Sequence, residues 1–338
     1  MNPILSVEGL EVTFPGRKRW FRSPAKGLRA VAGVNLTLAA GEILGVVGES
    51  GSGKTTLARA ILGLQQESGG RIALNGKEVT GLPIQRARID RQDVQYMHQD
   101  AGASLDPWWS IGGALHEALV VHGVRDRAQR DERIDAMLGA VGLDPSVKRR
   151  FPHELSGGQL KRVALARIVM LKPKVVVLDE PTAGLDMSVQ SLVLSLLLEL
   201  RTRFDLSYIL ITHDLSVVRR VCDRAAVMYL GKIVEVQPAA ELFSEPRHPY
   251  TRLLLSSIPS LDGARSSSTP LVAITGAVGA GAGCAFRPRC ELAHAECDRS
   301  EPVLRRVGEG TVACHAMKVG FHPVAEIAIH PNELVVNG

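Results

Sequence analysis

Residues 41–64 read GEILGVVGESGSGKTTLARAILGL. The apolar, strand-like run EILGVV leads into a glycine-rich loop, and the loop leads into a helical pattern that begins at Thr55 or Thr56. Glycines let such a backbone curl so that its N–H groups converge on phosphate oxygens, and the following helix start adds partial positive charge. Lys54 supplies a point charge for β- and γ-phosphates, and the Thr55 hydroxyl can ligate Mg²⁺. Gly48, Glu49, Ser50, Gly51, Ser52, Gly53, Lys54, Thr55 and Thr56 are therefore candidate nucleoside triphosphate contacts.

Three more blocks follow in order: LSGGQ (Leu155–Gln159), VVVLDE (Val175–Glu180) and ITHD (Ile211–Asp214). Val175–Leu178 is wholly apolar and β-branched-rich, as expected for a central parallel strand. Asp179 closes that strand, where a buried carboxylate is costly without a cation. Glu180 beside it is a candidate general base for water. Ser156, Gly157 and Gly158 at a helix start form a second phosphate cradle by the same physics as the first. Apolar runs at Tyr208–Thr212 and Ala226–Leu230, each after a helical stretch, imply an α/β fold with a parallel sheet flanked by helices.

In this order the blocks resemble the ATP-binding cassette of ABC transporters, over roughly residues 4 to 260. The resemblance implies a P-loop core, antiparallel N-terminal strands and a helical subdomain at about 100–172. It also implies ATP and Mg²⁺ as ligands, with Asp179, Thr55 and Gln99 at the metal. By the same resemblance Glu180 is the base, His213 reaches the γ-phosphate, Gln99 senses Mg²⁺ and the attacking water, and Phe14 stacks on adenine. Leu155, Ser156, Gly157, Gly158 and Gln159 would face the nucleotide of a second module, with Asp186 in the loop crossing between them. A second ATPase subunit is then obligatory. Three features depart from the family pattern: His98 stands where Phe is common, Ala101 where Pro is usual, and SLDPWW (Ser104–Trp109) adds two tryptophans in a segment that ordinarily meets the membrane subunit.

With 338 residues, 45% of them hydrophobic, the chain can fill a sizeable core. A formal charge of +5 is small for this length and argues against a nucleic-acid partner. Neither an export signal nor a membrane span is evident; the greasiest stretch, Leu192–Leu200, is about half the ~20 residues a spanning helix needs. The expected location is the cytoplasmic face of the inner membrane, held there by permease subunits. The basic insertion Gly16–Arg29 reads as a solvated loop or as a contact for lipid headgroups or a membrane partner.

RHPYTRLLLSSIP (Arg247–Pro259) and a cysteine-bearing end resemble ATPase subunits of dipeptide, oligopeptide and nickel importers. Residues 1–258 are read as the cassette, 259–283 as a Ser/Gly/Ala-rich linker, and 284–338 as a small Cys-rich domain. Cys284, Cys290, Cys297 and Cys314 follow C-x5-C-x6-C-x16-C. Without a C-x2-C pair a zinc ribbon fits poorly. A [4Fe–4S] cluster is the first choice, as related importer ATPases carry one, with zinc second and unmetallated thiols third. His294 and His315 adjoin these thiols as neighbours rather than ligands, and Cys222 reads as a core thiol.

The expected function is ATP hydrolysis that energises an importer of peptides. Its partners would be two permeases, an extracytoplasmic solute-binding protein and a related second ATPase, a heterodimer being preferred to a homodimer. Import of nickel, metal chelates or opines is the alternative within the class. Outside it stand a DNA-maintenance ATPase and a translation-associated ABC protein. The first needs a long insertion where only about 100 residues separate Lys54 from Leu155, and the second needs two cassettes in one chain. An iron–sulfur redox sensor is a further rival.

Overall fold

The computed structural model describes residues 3–15, 27–81, 92–100, 102–257 and 283–319. The basic insertion, except for its last residues, and the expected linker, except for Gly283, lie outside these, as does Ala101.

Strand β1 (Leu5–Phe14) pairs antiparallel with β2 (Leu28–Leu38) and β4 (Gly69–Leu74), and β5 (Lys77–Glu78) completes a four-stranded sheet. Along β1 the inward face slips by one residue, so that Leu5 and Val7 are buried, and then Leu10 and Val12. The cause is a bulge at Glu8-Gly9, where Gly9 takes φ +55° and the register shifts.

The second sheet runs β11 (Arg305–Val307), β12 (Gly310–Val312), β10 (Lys232–Pro238), then β9-β3-β8-β7-β6. Its parallel centre comprises β6 (Val94–Met97), β7 (Val175–Asp179), β8 (Ser207–Thr212), β3 (Ile43–Val47) and β9 (Arg224–Tyr229). Along these strands alternate residues serve two cores. Ile43, Val176, Leu178, Tyr208 and Leu210 join the helical side. Leu44, Val46, Val175, Val177, Ile209 and Ile211 join the core under the small sheet and α1 (Lys54–Ile61). Burial on both faces is why these strands read as unbroken apolar runs; each fully buried aliphatic side chain contributes roughly 1.5–3 kcal/mol.

Helices α2 (Ile111–Val121), α3 (Arg127–Ala140) and α4 (Gly157–Val169) follow β6, and α5 (Met187–Phe204) follows β7. Leu192–Leu200 lies in α5, with Val193, Leu194, Leu196, Leu197 and Leu200 buried and Leu192 exposed. Among the described residues no helix is long and apolar enough to cross a membrane. Register places the site. Val46 pairs with Ile211 and Ile211 with Asp179, so the loops after β3, β7 and β8 leave one edge at one level, where ligands of open parallel sheets bind.

After α6 (Leu215–Val221) and β9 come β10 (Lys232–Pro238), α7 (Ala239–Ser244) and α8 (Pro249–Ser256). The C-terminal segment adds α9 (Glu296–Arg299), β11 (Arg305–Val307) and β12 (Gly310–Val312), and β12 pairs with β10, so the described part of the cysteine tail extends the main sheet. Its anchor is Glu235, fully buried in β10. The carboxylate accepts from Arg247 N at 2.8 Å, His248 N at 3.0 Å, Gln237 Nε2 at 3.0 Å and the Thr251 hydroxyl. His248 caps α8, its Nδ1 accepting from Tyr250 N at 3.0 Å, while the ring donates to the Ala313 carbonyl of the tail.

Burial holds the His248 imidazole down to about 4 from the ordinary 6.5. The folded chain therefore binds fewer protons there than the unfolded chain, and the stability held by neutral His248 is present above pH 6.5 and lost as pH falls toward 4, by about 3 kcal/mol. In thermal unfolding between pH 6.5 and 4.5, the Tm of the natural chain should fall more steeply than that of His248→Asn, which keeps a capping acceptor but cannot titrate. Parallel slopes would contradict this.

Candidate nucleotide site

Gly48 adopts φ +155° and Gly53 φ +106°. A Cβ on Gly48 would stand 2.1 Å from the Met228 carbonyl oxygen, and one on Gly53 would stand 2.2 Å from that of Ala30. β9 and β2 thus press the loop from behind, and only glycine fits at either position. Gly53 opens α1, whose first residue is Lys54. The Lys54 side chain is buried and its Nζ donates to neutral oxygens: Gly48 O at 2.7 Å, Glu49 O at 2.9 Å and Ser52 Oγ at 3.4 Å. Burial lowers its pKa, against the opposing pull of the Glu180, Asp179 and Glu49 carboxylates. The donor set of a curled glycine loop around a buried ammonium suits a polyphosphate, and Asp179 and Thr55 carry oxygens of the kind Mg²⁺ prefers.

At the end of β7, Asp179 Oδ2 accepts from the Tyr96 hydroxyl of β6 at 2.7 Å. Burial and the adjoining carboxylate raise the Tyr96 pKa, so this phenol stays protonated and donates. Glu180 is strained, with φ +47° in a residue that has a side chain. Its N–H donates to Ile211 O at 2.8 Å. Its carboxylate meets His213 Nδ1 at 2.6 Å and accepts from Gln99 Nε2 at 3.4 Å. The three catalytic candidates named from sequence are thus brought together, Glu180 from β7, His213 from β8 and Gln99 just after β6. Phe14 ends β1, opposite Leu28 and partly exposed.

Ser156 and Gln159 form a reciprocal capping box at the start of α4, Ser156 N donating to Gln159 Oε1 at 3.0 Å and Gln159 N to Ser156 Oγ at 3.3 Å. Gly158 is required by packing, because a Cβ there would stand 2.7 Å from Val189 Cγ1 of α5. Leu155 is buried behind the motif, and Asp186 caps α5 by accepting from Ser188 N at 3.0 Å and Val189 N at 2.9 Å. Ser156 and Gly157 are exposed, and Gly158 and Gln159 are half-buried.

Residues 31–183 match the family model described as ABC transporter, and residues 234–297 match the oligopeptide/dipeptide transporter C-terminal region. The oligopeptide transport ATP-binding protein OppF of Escherichia coli K12 is 42% identical over 318 residues, covering 92% of this chain and 95% of that one. The di/tripeptide transport ATP-binding protein DppF of Pseudomonas aeruginosa is 41% identical, covering 93% and 98%. This chain belongs to the ATP-binding proteins of ABC transporters. Among solved structures, cbiO1 of Clostridium perfringens, part of the ABC transporter complex cbiONQ, aligns with TM-score 0.62 and 30% identity over 72% of this chain and 92% of that one. The ATP-binding cassette MJ0796, a dimer bound to ADP and Pi, shares the fold with TM-score 0.60 at 23% identity, covering 70% and 98%.

As an ABC ATPase, the chain holds its site with residues that no local motif announces. Tyr96 fixes Asp179, and Lys161 in α4 donates to Gln99 O at 3.2 Å and Glu180 O at 3.4 Å, tying the helix of LSGGQ to the catalytic loops. From 240 residues downstream, Arg289 grips Glu49 of the phosphate loop. A buried lysine in an amphipathic helix and an arginine beside a cysteine have no spacing signature, since the contacts they make are set by tertiary packing.

Proposed function

We propose that this chain is the ATPase subunit that powers uptake of oligopeptides or dipeptides through an ABC importer. The observation that carries the reading is the coupling of a complete cassette to the C-terminal region of oligopeptide/dipeptide transporters, in a chain spanning 95% and 98% of two relatives named for peptide transport. Nothing in the comparisons favours nickel, chelates or opines.

Within the site, Lys54 and the loop N–H groups hold the phosphates, and Glu180 takes the proton of the attacking water, oriented by His213 and Gln99. Mg²⁺, held by Thr55 and Asp179 with Gln99 near, supplies charge neutralisation and a template for the phosphates when bound. The open cradle of Ser156, Gly157 and Gly158, with Leu155 and Gln159 shaping it, serves the nucleotide of the second ATPase, and Asp186 borders that junction. ATP thus joins two subunits, and loss of the γ-phosphate lets them part. Phe14 is the adenine platform. A related rather than identical second ATPase, a pair of permeases and an extracytoplasmic solute-binding protein complete the machine at the cytoplasmic face of the membrane. Trp108, exposed by 86%, and the exposed Trp109 offer an aromatic surface for a permease helix.

In the tail, Cys284, Cys290, Cys297 and Cys314 are the residues that would hold a [4Fe–4S] cluster. Burial raises the thiols of Cys284, Cys290 and Cys314, and each also feels the charge of other tail thiols, Cys297 among them. Among the described residues no three His, Cys, Asp or Glu groups stand close enough for one metal ion. A cluster distributes its thiolates over four irons. Anaerobically purified protein should contain about four irons and four sulfides, lost in Cys297→Ser; zinc or no metal would refute the cluster and leave the ATPase standing.

In host cells, replacing the natural chain by Glu180→Gln should abolish uptake of a labelled tripeptide. The purified variant should still bind Mg·ATP, with turnover lowered by about 10²–10⁴-fold. Undiminished tripeptide uptake would refute the transport reading, and near-normal turnover would refute the base.

A further inference from the structure

Glu49 is an anomaly on physical grounds. It places a carboxylate in the second position of a loop whose task is to attract a polyanion, close enough to act on the Lys54 ammonium. At a few ångströms such a charge opposes phosphate binding unless it is neutralised.

The neutralising group comes from the cysteine tail. Arg289 Nη1 lies 2.9 Å from Glu49 Oε2, and Nη2 lies 2.8 Å from Oε1, a bidentate fork. The guanidinium is itself largely buried, its carbon 5.7 Å from the centre of the Phe286 ring and 6.0 Å from that of Tyr229. The backbone of the same loop residue is held as well. Glu49 N donates to the hydroxyl of fully buried Tyr250 at 2.8 Å, and Glu49 O accepts from Lys54 at 2.9 Å. Tyr229, Tyr250 and Phe286 pack mutually, with ring centres 4.6 to 5.4 Å apart. One aromatic cluster therefore carries both the fork and the hydroxyl to a single residue of the phosphate loop.

We propose that Arg289 is a positioning residue of the nucleotide site: it neutralises and clamps Glu49, so that the loop offers its N–H groups and Lys54 to a nucleoside triphosphate without an opposing carboxylate. The tail is in this sense part of the ATP site of its own chain. The inference rests on the loop being that site.

The test uses the full-length chain, with Mg·ATP and Mg·ADP binding by calorimetry and steady-state ATP turnover. Arg289→Ala should weaken Mg·ATP binding and raise the KM for ATP about tenfold, with a smaller loss for Mg·ADP and kcat changed less than twofold. Adding Glu49→Gln to Arg289→Ala should return the ATP affinity to within about threefold of the natural chain, because the opposing charge is then gone. A purely structural role for Arg289 predicts no such rescue. Arg289→Met, which keeps the apolar stem on Tyr229 and Phe286, should give the same loss and the same rescue, and it decides the matter if Arg289→Ala fails to fold. ATP affinity equal to the natural chain in either single variant, or no rescue in the double variant, overturns the proposal. A natural chain that binds no Mg·ATP would instead overturn the reading of the loop itself.

Discussion

A buried ammonium whose hydrogen bonds all go to neutral oxygens is the interaction on which the site turns. Lys54 sits under its own loop, donating to two carbonyls and a hydroxyl. Desolvation of a cation is expensive, and the folded chain meets that cost by placing Asp179, Glu180 and Glu49 within electrostatic reach. The geometry behind it is rigid: carbonyls of Met228 and Ala30 leave no room for any side chain at Gly48 or Gly53. The parallel pairing of β3, β8 and β7 then sets Lys54, Glu180 and His213 on one edge. Loop, carboxylates and histidine form one connected unit there, the carboxylates acting on Lys54 and His213 meeting Glu180.

That unit extends further along the chain than the cassette motifs. Glu235 and His248 fix the segment after β10, Tyr250 and Arg289 reach from it to Glu49, and β12 ties the cysteine tail to the sheet. Arg289 directly precedes Cys290, so the clamp on Glu49 and the cysteine tail share one stretch of chain. Catalytic geometry and tail integrity are thereby linked through packed aromatic rings and charge, without any long-range motion being required.

Much of this was legible in the sequence, for physical reasons. Strands buried on both faces must be apolar throughout, so β3, β7 and β8 announce themselves. Phosphate and Mg²⁺ chemistry admits few residue types, so Gly48–Thr55, Asp179 and Glu180 stand out, and the structure brings Glu180, His213 and Gln99 within hydrogen-bonding distance. Other features were hidden because they depend on partners distant in the chain. The bulge at Gly9 shifts the buried face of β1 through a register change set by its partner strand. Ser156, Gln159 and Asp186, read from sequence as groups for a second subunit, cap their own helices. Tyr96, Lys161 and Arg289 carry no pattern at all. Nor does the short Arg305–Val312 hairpin betray that the tail continues the main sheet.

The central claim is that Lys54, poised by the glycine loop, is the charge that captures the triphosphate. Equilibrium binding of Mg·ATP to the natural chain and to Lys54→Ala tests it most directly. The account predicts saturable binding by the natural chain and at least a hundredfold loss in the variant, with its fold and melting temperature retained. Equal affinity in the two proteins would contradict it.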